Sequence, residues 1–220
     1  MSESLVIEKE KLLLVEGKDD RAAIYKLVKD LGLDDIQVAY MEGKDNSKKF
    51  IDTLAAALKT SRLENKYIKA FGVMLDADDN EATSSFQKVC SILKEIQKRQ
   101  IKNMEFEIPK RCAMFTGSRT KVGVYIMPNC ISKGMLETLC LKSVEDEPFY
   151  SCVENFINEA LSIKKDLDHI DKRKTMAFIA LKSKEGQKKS VGEAVCDGIF
   201  NTSSTAFDGI KNFLKDMSNL

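Results

Sequence analysis

Four carboxylates stand out by type and spacing. Glu16 and Asp20 fall in Leu12-Leu13-Leu14-Val15-Glu16-Gly17-Lys18-Asp19-Asp20, and Asp76 and Asp78 in Phe71-Gly72-Val73-Met74-Leu75-Asp76-Ala77-Asp78-Asp79. In both segments an apolar run delivers acidic residues to its C-terminal end, where open α/β sheets place their ligands. Two such strands side by side would gather Glu16, Asp20, Asp76 and Asp78 into one cluster. Crowded carboxylates repel one another and raise each other's pKa, so a cluster of this kind calls for a cation. Hard oxygen donors without His or Cys nearby select Mg²⁺ or Mn²⁺ over zinc. Such a site suits phosphoryl transfer, in which divalent cations neutralise the phosphate and stabilise the attacking and leaving oxygens.

The elements that must hold these residues follow from periodicity. Residues 11–15 read as a buried strand, with Gly17 turning the chain into a helix marked by Ala23, Ile24, Leu27, Val28 and Leu31 and stopped at Gly32. A strand over 36–40 follows, then a loop with Gly43 and Asn46 and a helix marked by Phe50, Leu54 and Leu58. Residues 68–75 form the next strand, and Phe86, Val89, Cys90, Leu93 and Ile96 outline a long helix. Val122–Met127 is a further strand, followed by a short helix through Met135–Leu139. Strands alternating with helices predict a mostly parallel α/β sheet flanked by helices, because each parallel crossover needs a helix. From Pro148 onward only helices are expected, near 149–163, 170–183, 191–199 and 205–217. The expected organisation is an α/β domain over 1–147 and an all-helical C-terminal extension over 148–220, packed on it.

The order of the two acidic motifs, Glu16-Gly17-Lys18-Asp19-Asp20 and then Asp76-Ala77-Asp78 after a second apolar strand, resembles the Toprim domain. That domain is shared by topoisomerases, primases, small RNA-maturing nucleases and OLD-type nucleases, and the resemblance covers roughly residues 10–140. It implies a Toprim-like fold in which Asp76 and Asp78 share a metal and Glu16 is a ligand or a general acid/base. By similarity to OLD-type nucleases, Asp20 helps bind a second metal and Glu137 completes the site, the alternative for Glu137 being an exposed position on a short helix. Those nucleases also use a late lysine to stabilise transition-state charge, a role for which Lys172, Lys174 and Lys182 compete. The small Toprim ribonucleases follow their second motif with a glycine, whereas this chain runs on as Asp79-Asn80-Glu81. No Gly-x-x-x-x-Gly-Lys-Ser/Thr occurs, so an ATPase partner would have to act in trans. The closest pattern is a stand-alone, OLD-like Toprim protein.

Composition narrows the classes. The 220 residues are 43% hydrophobic and 31% charged with a net charge of +1, ordinary for a globular chain and excluding a generally basic nucleic-acid-coating protein. From Ser162 to Ser190 there are nine Lys or Arg against four Asp or Glu. Lys172, Arg173, Lys174 and Lys182 could there contact nucleic-acid phosphates, the alternative being a solvated helix face. Lys18 has the same two readings, a phosphate contact or a surface lysine. The six cysteines show neither Cys-x-x-Cys nor a Cys/His ligand spacing, so reduced thiols in the cytoplasm are expected. No signal-peptide pattern and no membrane-spanning run is read from the sequence.

The leading expectation is therefore an Mg²⁺-dependent nuclease acting on DNA or RNA. The alternatives are a non-catalytic nucleic-acid- or partner-binding Toprim scaffold and a nucleotide phosphotransferase or phosphatase, in which Asp76 would be the nucleophile and Glu16 would have no role.

Overall fold

The computed structural model describes residues 5–40, 67–99 and 105–220. Its centre is a five-stranded sheet in the order β2-β1-β3-β5-β4. Here β1 is Lys11–Val15, β2 Ile36–Tyr40, β3 Ala70–Asp76, β4 Phe115–Thr116 and β5 Lys121–Met127. The first four in that order run parallel, and β4 closes the edge as an antiparallel pair with β5. Two-residue β4 carries no periodic signal, which is why the sequence pattern misses it. The expected loop and helix around Gly43, Asn46, Phe50, Leu54 and Leu58 lie outside the described residues.

Side chains alternate across the strands and define two apolar layers. Leu13, Val15, Ala70, Met74, Tyr125 and Met127 face one layer. Leu12, Leu14, Phe71, Val73, Val122, Val124 and Ile126 face the other, against the helix α2 (Ala82–Lys98) through Val89, Leu93 and Ile96. The first layer is much the larger. It takes in helix α1 (Lys18–Asp30) and the helical last third of the chain. There α3 (Leu136–Lys142), α4 (Pro148–Ile163), α5 (Ile170–Lys182), α6 (Val191–Cys196) and α7 (Asp208–Ser218) follow one another, with a 3₁₀ turn at Thr205–Phe207 before α7. Phe178, Phe200, Phe207, Phe213 and Met217 bury their side chains in the same cluster as Leu13 and Met74, so the helices and the sheet share one core.

One expectation is corrected. Cys112 and Cys130 form a disulfide with their Cα atoms 5.8 Å apart, while Cys90, Cys140, Cys152 and Cys196 are free. The pairing arises because the segment before β4 runs beside β5, where the Ala113 amide donates to the Val124 carbonyl. That tertiary approach has no counterpart in cysteine spacing.

Candidate functional site: an acidic row at the C-terminal edge of the sheet

Parallel register fixes the row. Val15 is level with Tyr40 on one side and Met74 on the other, so β2, β1 and β3 end along one edge. Glu16 is the first residue beyond β1. Asp20 lies in the first turn of α1, where its Oδ2 accepts from the Gly17 amide at 2.8 Å and closes the helix entry. It is one of few buried polar side chains among the described residues, 8% exposed.

Asp76 is the last residue of β3, and its Oδ1 accepts from the Leu136 amide at the start of α3, 3.1 Å away. The strand ends there. Asp78 lies two residues beyond the strand, in the turn that follows it. Asp78 has φ 51°, a left-handed conformation that Asp tolerates better than most residues. It is held by two backbone hydrogen bonds to Gly134, amide to carbonyl in both directions at 2.8 Å. Gly134 itself has φ 132°, and a Cβ there would stand 2.7 Å from the Thr138 hydroxyl. The loops after β3 and β5 are thus latched together, and Glu137 follows in the first turn of α3.

Electrostatics ties these positions into one group. Burial, with repulsion from Glu16, Glu137 and Asp19, outweighs the Gly17 hydrogen bond and pushes Asp20 up to about 6. Burial first, then repulsion from Asp20, Glu16, Glu137 and Asp78, holds Asp76 well above the usual carboxylate range. Glu137 is raised by burial and by Asp19 and Asp78, against the opposing pull of Lys172. Cys140, buried beneath the row, is raised by desolvation and by Glu137, Asp20 and Asp76. Asp76 thus interacts with each of the other four sequence-derived carboxylates, Glu16, Asp20, Asp78 and Glu137.

The donor set suits a hard divalent cation in chemistry and in charge. Among the described residues no three His, Cys, Asp or Glu side chains form a group that could hold a metal ion.

The basic candidates separate. Lys172 lies near enough to Glu137 to lower its pKa. It is brought there by the N-terminal turn of α5, where Asp171 accepts from the Thr138 hydroxyl of α3 at 2.5 Å. Arg173 is paired with Asp168 at 2.7 Å, Lys174 with Glu154 and Lys182 with Glu147 at 2.6 Å. The latter two pairs tie α5 to α4 and to the turn before it, so structural ion pairs already engage these two lysines. The Thr138–Asp171 link spans 33 positions and carries no motif, so sequence reading passes over it.

Fold and site together define a mostly parallel α/β protein with an acidic row where open sheets of this class bind ligands. Residues 10–219 match the family model described as Protein of unknown function (DUF3226), and the chain belongs to that family. No curated protein and no solved structure matches it. No helix among the described residues is long and apolar enough to cross a membrane.

Proposed function

We propose that the protein is a Toprim-like, OLD-related enzyme that cleaves phosphodiester bonds in DNA or RNA with Mg²⁺ or Mn²⁺. The observation that carries this reading is the convergence of Glu16, Asp20, Asp76, Asp78 and Glu137, from three separate segments, along one sheet edge. Crowding that many carboxylates together, Asp20 buried and the other four half-buried, is unfavourable unless a cation offsets their repulsion. A bound divalent cation would supply charge neutralisation and an activated water.

Asp76 and Asp78 would hold it, the first oriented by the Leu136 amide and the second fixed through its backbone by Gly134. Glu16, at the neighbouring strand end, would add a ligand or take the proton from the attacking water. Asp20 and Glu137 would flank the row. Lys172, beside Glu137, is placed to meet developing negative charge on a phosphate.

The test is metal-dependent nicking of plasmid DNA and cleavage of structured RNA. Glu16→Gln and Asp76→Asn should each lower the rate by at least about a hundredfold with folding intact. Activity that survives both changes, or that persists in EDTA, would refute the assignment.

A second reading, a non-catalytic nucleic-acid- or partner-binding scaffold, draws support from the spacing of the carboxylates, none of which form a closed three-donor set among the described residues. Binding without cleavage on every substrate would select it.

A further inference from the structure

Helix α1 carries four cations, and they are treated in two different ways. At its C-terminal half Lys26 is paired with Asp30, and Lys29 with Asp34 at 2.5 Å. At its N-terminal half Lys18 and Arg21 instead sit against the ring of Tyr40, with Nζ 5.8 Å and the guanidinium carbon 5.9 Å from its centroid. Both side chains are exposed, and among the described residues neither is in an ion pair. Cations in the first turns oppose the helix dipole, so their position does nothing for the helix itself. Tyr40 is the last residue of β2, half-buried and packed on the main core. It is a fixed platform for two otherwise flexible chains.

Register places that platform beside the acidic row. Tyr40 is level with Val15, the residue before Glu16, and Val15 is level with Met74, two before Asp76. Adjacent strands are about 4.8 Å apart, so the platform stands one strand from Glu16 and two, about 10 Å, from Asp76. Along the edge the order is therefore two cations on an aromatic ring, then carboxylates. An anion that engages both must carry one phosphate at a metal cation held by the carboxylates and another at Lys18 and Arg21. A polynucleotide backbone has that form, and Arg21 can grip a phosphate through two N–H groups at once.

We infer that Lys18 and Arg21, held on Tyr40, clamp a backbone phosphate neighbouring the scissile one and so seat a nucleic-acid strand across the end of β2. Resting the cations on the ring by cation–π attraction lowers the conformational freedom lost on binding. Tyr40 is a positioning residue, not a catalytic one. The inference rests on the phosphodiester-cleaving reading of the acidic row.

The experiment is fluorescence anisotropy of the full chain with a labelled single-stranded oligonucleotide, DNA and RNA, in EDTA over a range of salt, with cleavage in Mn²⁺ measured in parallel. The double variant Lys18→Gln, Arg21→Gln should bind about ten- to a hundredfold more weakly and flatten the log–log salt dependence by about 1.4, roughly 0.7 for each lost contact. Its melting temperature should match the parent's, since both side chains are exposed. Tyr40→Phe keeps the ring and should bind like the parent, whereas Tyr40→Leu should fall between the parent and the double variant. A double variant with the parent's affinity and salt slope overturns the clamp even if cleavage by the parent is confirmed. Clamp-dependent binding by a parent that never cleaves upholds the clamp and rejects the enzyme. Binding of nucleoside triphosphate, but no oligonucleotide, by the parent also overturns the clamp as stated.

Discussion

The two edges of the sheet handle charge in opposite ways. Where the strands begin, acidic and basic residues are matched. Lys11 meets Asp35 at 2.7 Å, Lys69 meets Glu10 at 2.6 Å, and Asp34 meets Lys29. Hydrogen bonding and attraction from Lys29 hold Asp34 below its ordinary pKa. Burial alone would raise Asp35, but Lys11 and Ser218 bring it below its ordinary value as well. Where the strands end, Asp20, Asp76 and Glu137 are all raised, first by burial and then by neighbouring carboxylates. One edge is electrostatically closed by the protein's own cations. At the other, burial and crowding raise carboxylates at the end where open α/β sheets place their ligands, and groups perturbed in that way are candidates for function.

The sharpest way to break this contrast is through pH. A carboxyl whose folded pKa is raised stabilises the fold fully below its unfolded pKa and loses that contribution as pH rises through the folded value. For Asp20 the window runs from about 4 to beyond about 6. The metal-free protein should thus lose about 3 kcal/mol from Asp20 across that window. Asp20→Asn keeps an oxygen for the Gly17 amide and removes the charge. It should raise the melting temperature at pH 7 in EDTA by about 4–10 °C, with little effect at pH 4. Mg²⁺ or Mn²⁺ should raise the parent's melting temperature at pH 7 and do less for the variant. A parent whose stability is flat from pH 4 to 7 in EDTA would remove the raised carboxyls on which the comparison stands.

What made this edge legible in advance was its local character. Each motif is an apolar run followed at once by carboxylates, so strand, turn and acidic residue could be placed from a single stretch of chain. The strand and helix bounds near Glu16 and Asp76 follow the pattern for that reason. The latch between Asp78 and Gly134, the Thr138–Asp171 bond and the Cys112–Cys130 disulfide were not legible, because each joins segments whose approach depends on the packed sheet. The basic run at 162–190 is likewise only partly legible. Counting charge there shows a surplus, but the pairings of Arg173, Lys174 and Lys182 are tertiary or loop contacts invisible to a count.

A smaller effect is expected from the packing that seats the acidic edge. Gly192 of α6 lies against the first turn of α1, and a Cβ there would stand 2.7 Å from the Asp19 carbonyl oxygen and 2.8 Å from its Cα. Those neighbours are backbone and cannot rotate away. Gly192→Ala should cost about 1–3 kcal/mol by forcing the two helices apart. Because Asp20 belongs to that turn, the metal-induced thermal shift should shrink as well. Loss of stability with an unchanged metal shift would show that the turn is not what positions the row.

The smallest effect belongs to the matched edge, and its sign is the discriminating part. Lys11 reaches both Asp35 and the Ser218 carbonyl at the end of α7. Asp35 has a lowered pKa, so its contribution is present above the unfolded value near 4 and is lost as pH falls through the folded one. This is the reverse of the dependence expected at the acidic row. Lys11→Met keeps the apolar stem and deletes the charge. Since Asp35 is 43% exposed, solvent screening limits the loss to about 0.5–1 kcal/mol at pH 7. The deficit relative to the parent should narrow below about pH 4, where Asp35 in the variant and then in the parent takes up its proton. Metal-induced stabilisation should be unchanged, because the substitution lies at the opposite end of β1. Equal loss at all pH values would assign Lys11 to its Ser218 contact and packing alone. A changed metal response would mean that the two edges are coupled through β1, and the separation drawn between them would have to be abandoned.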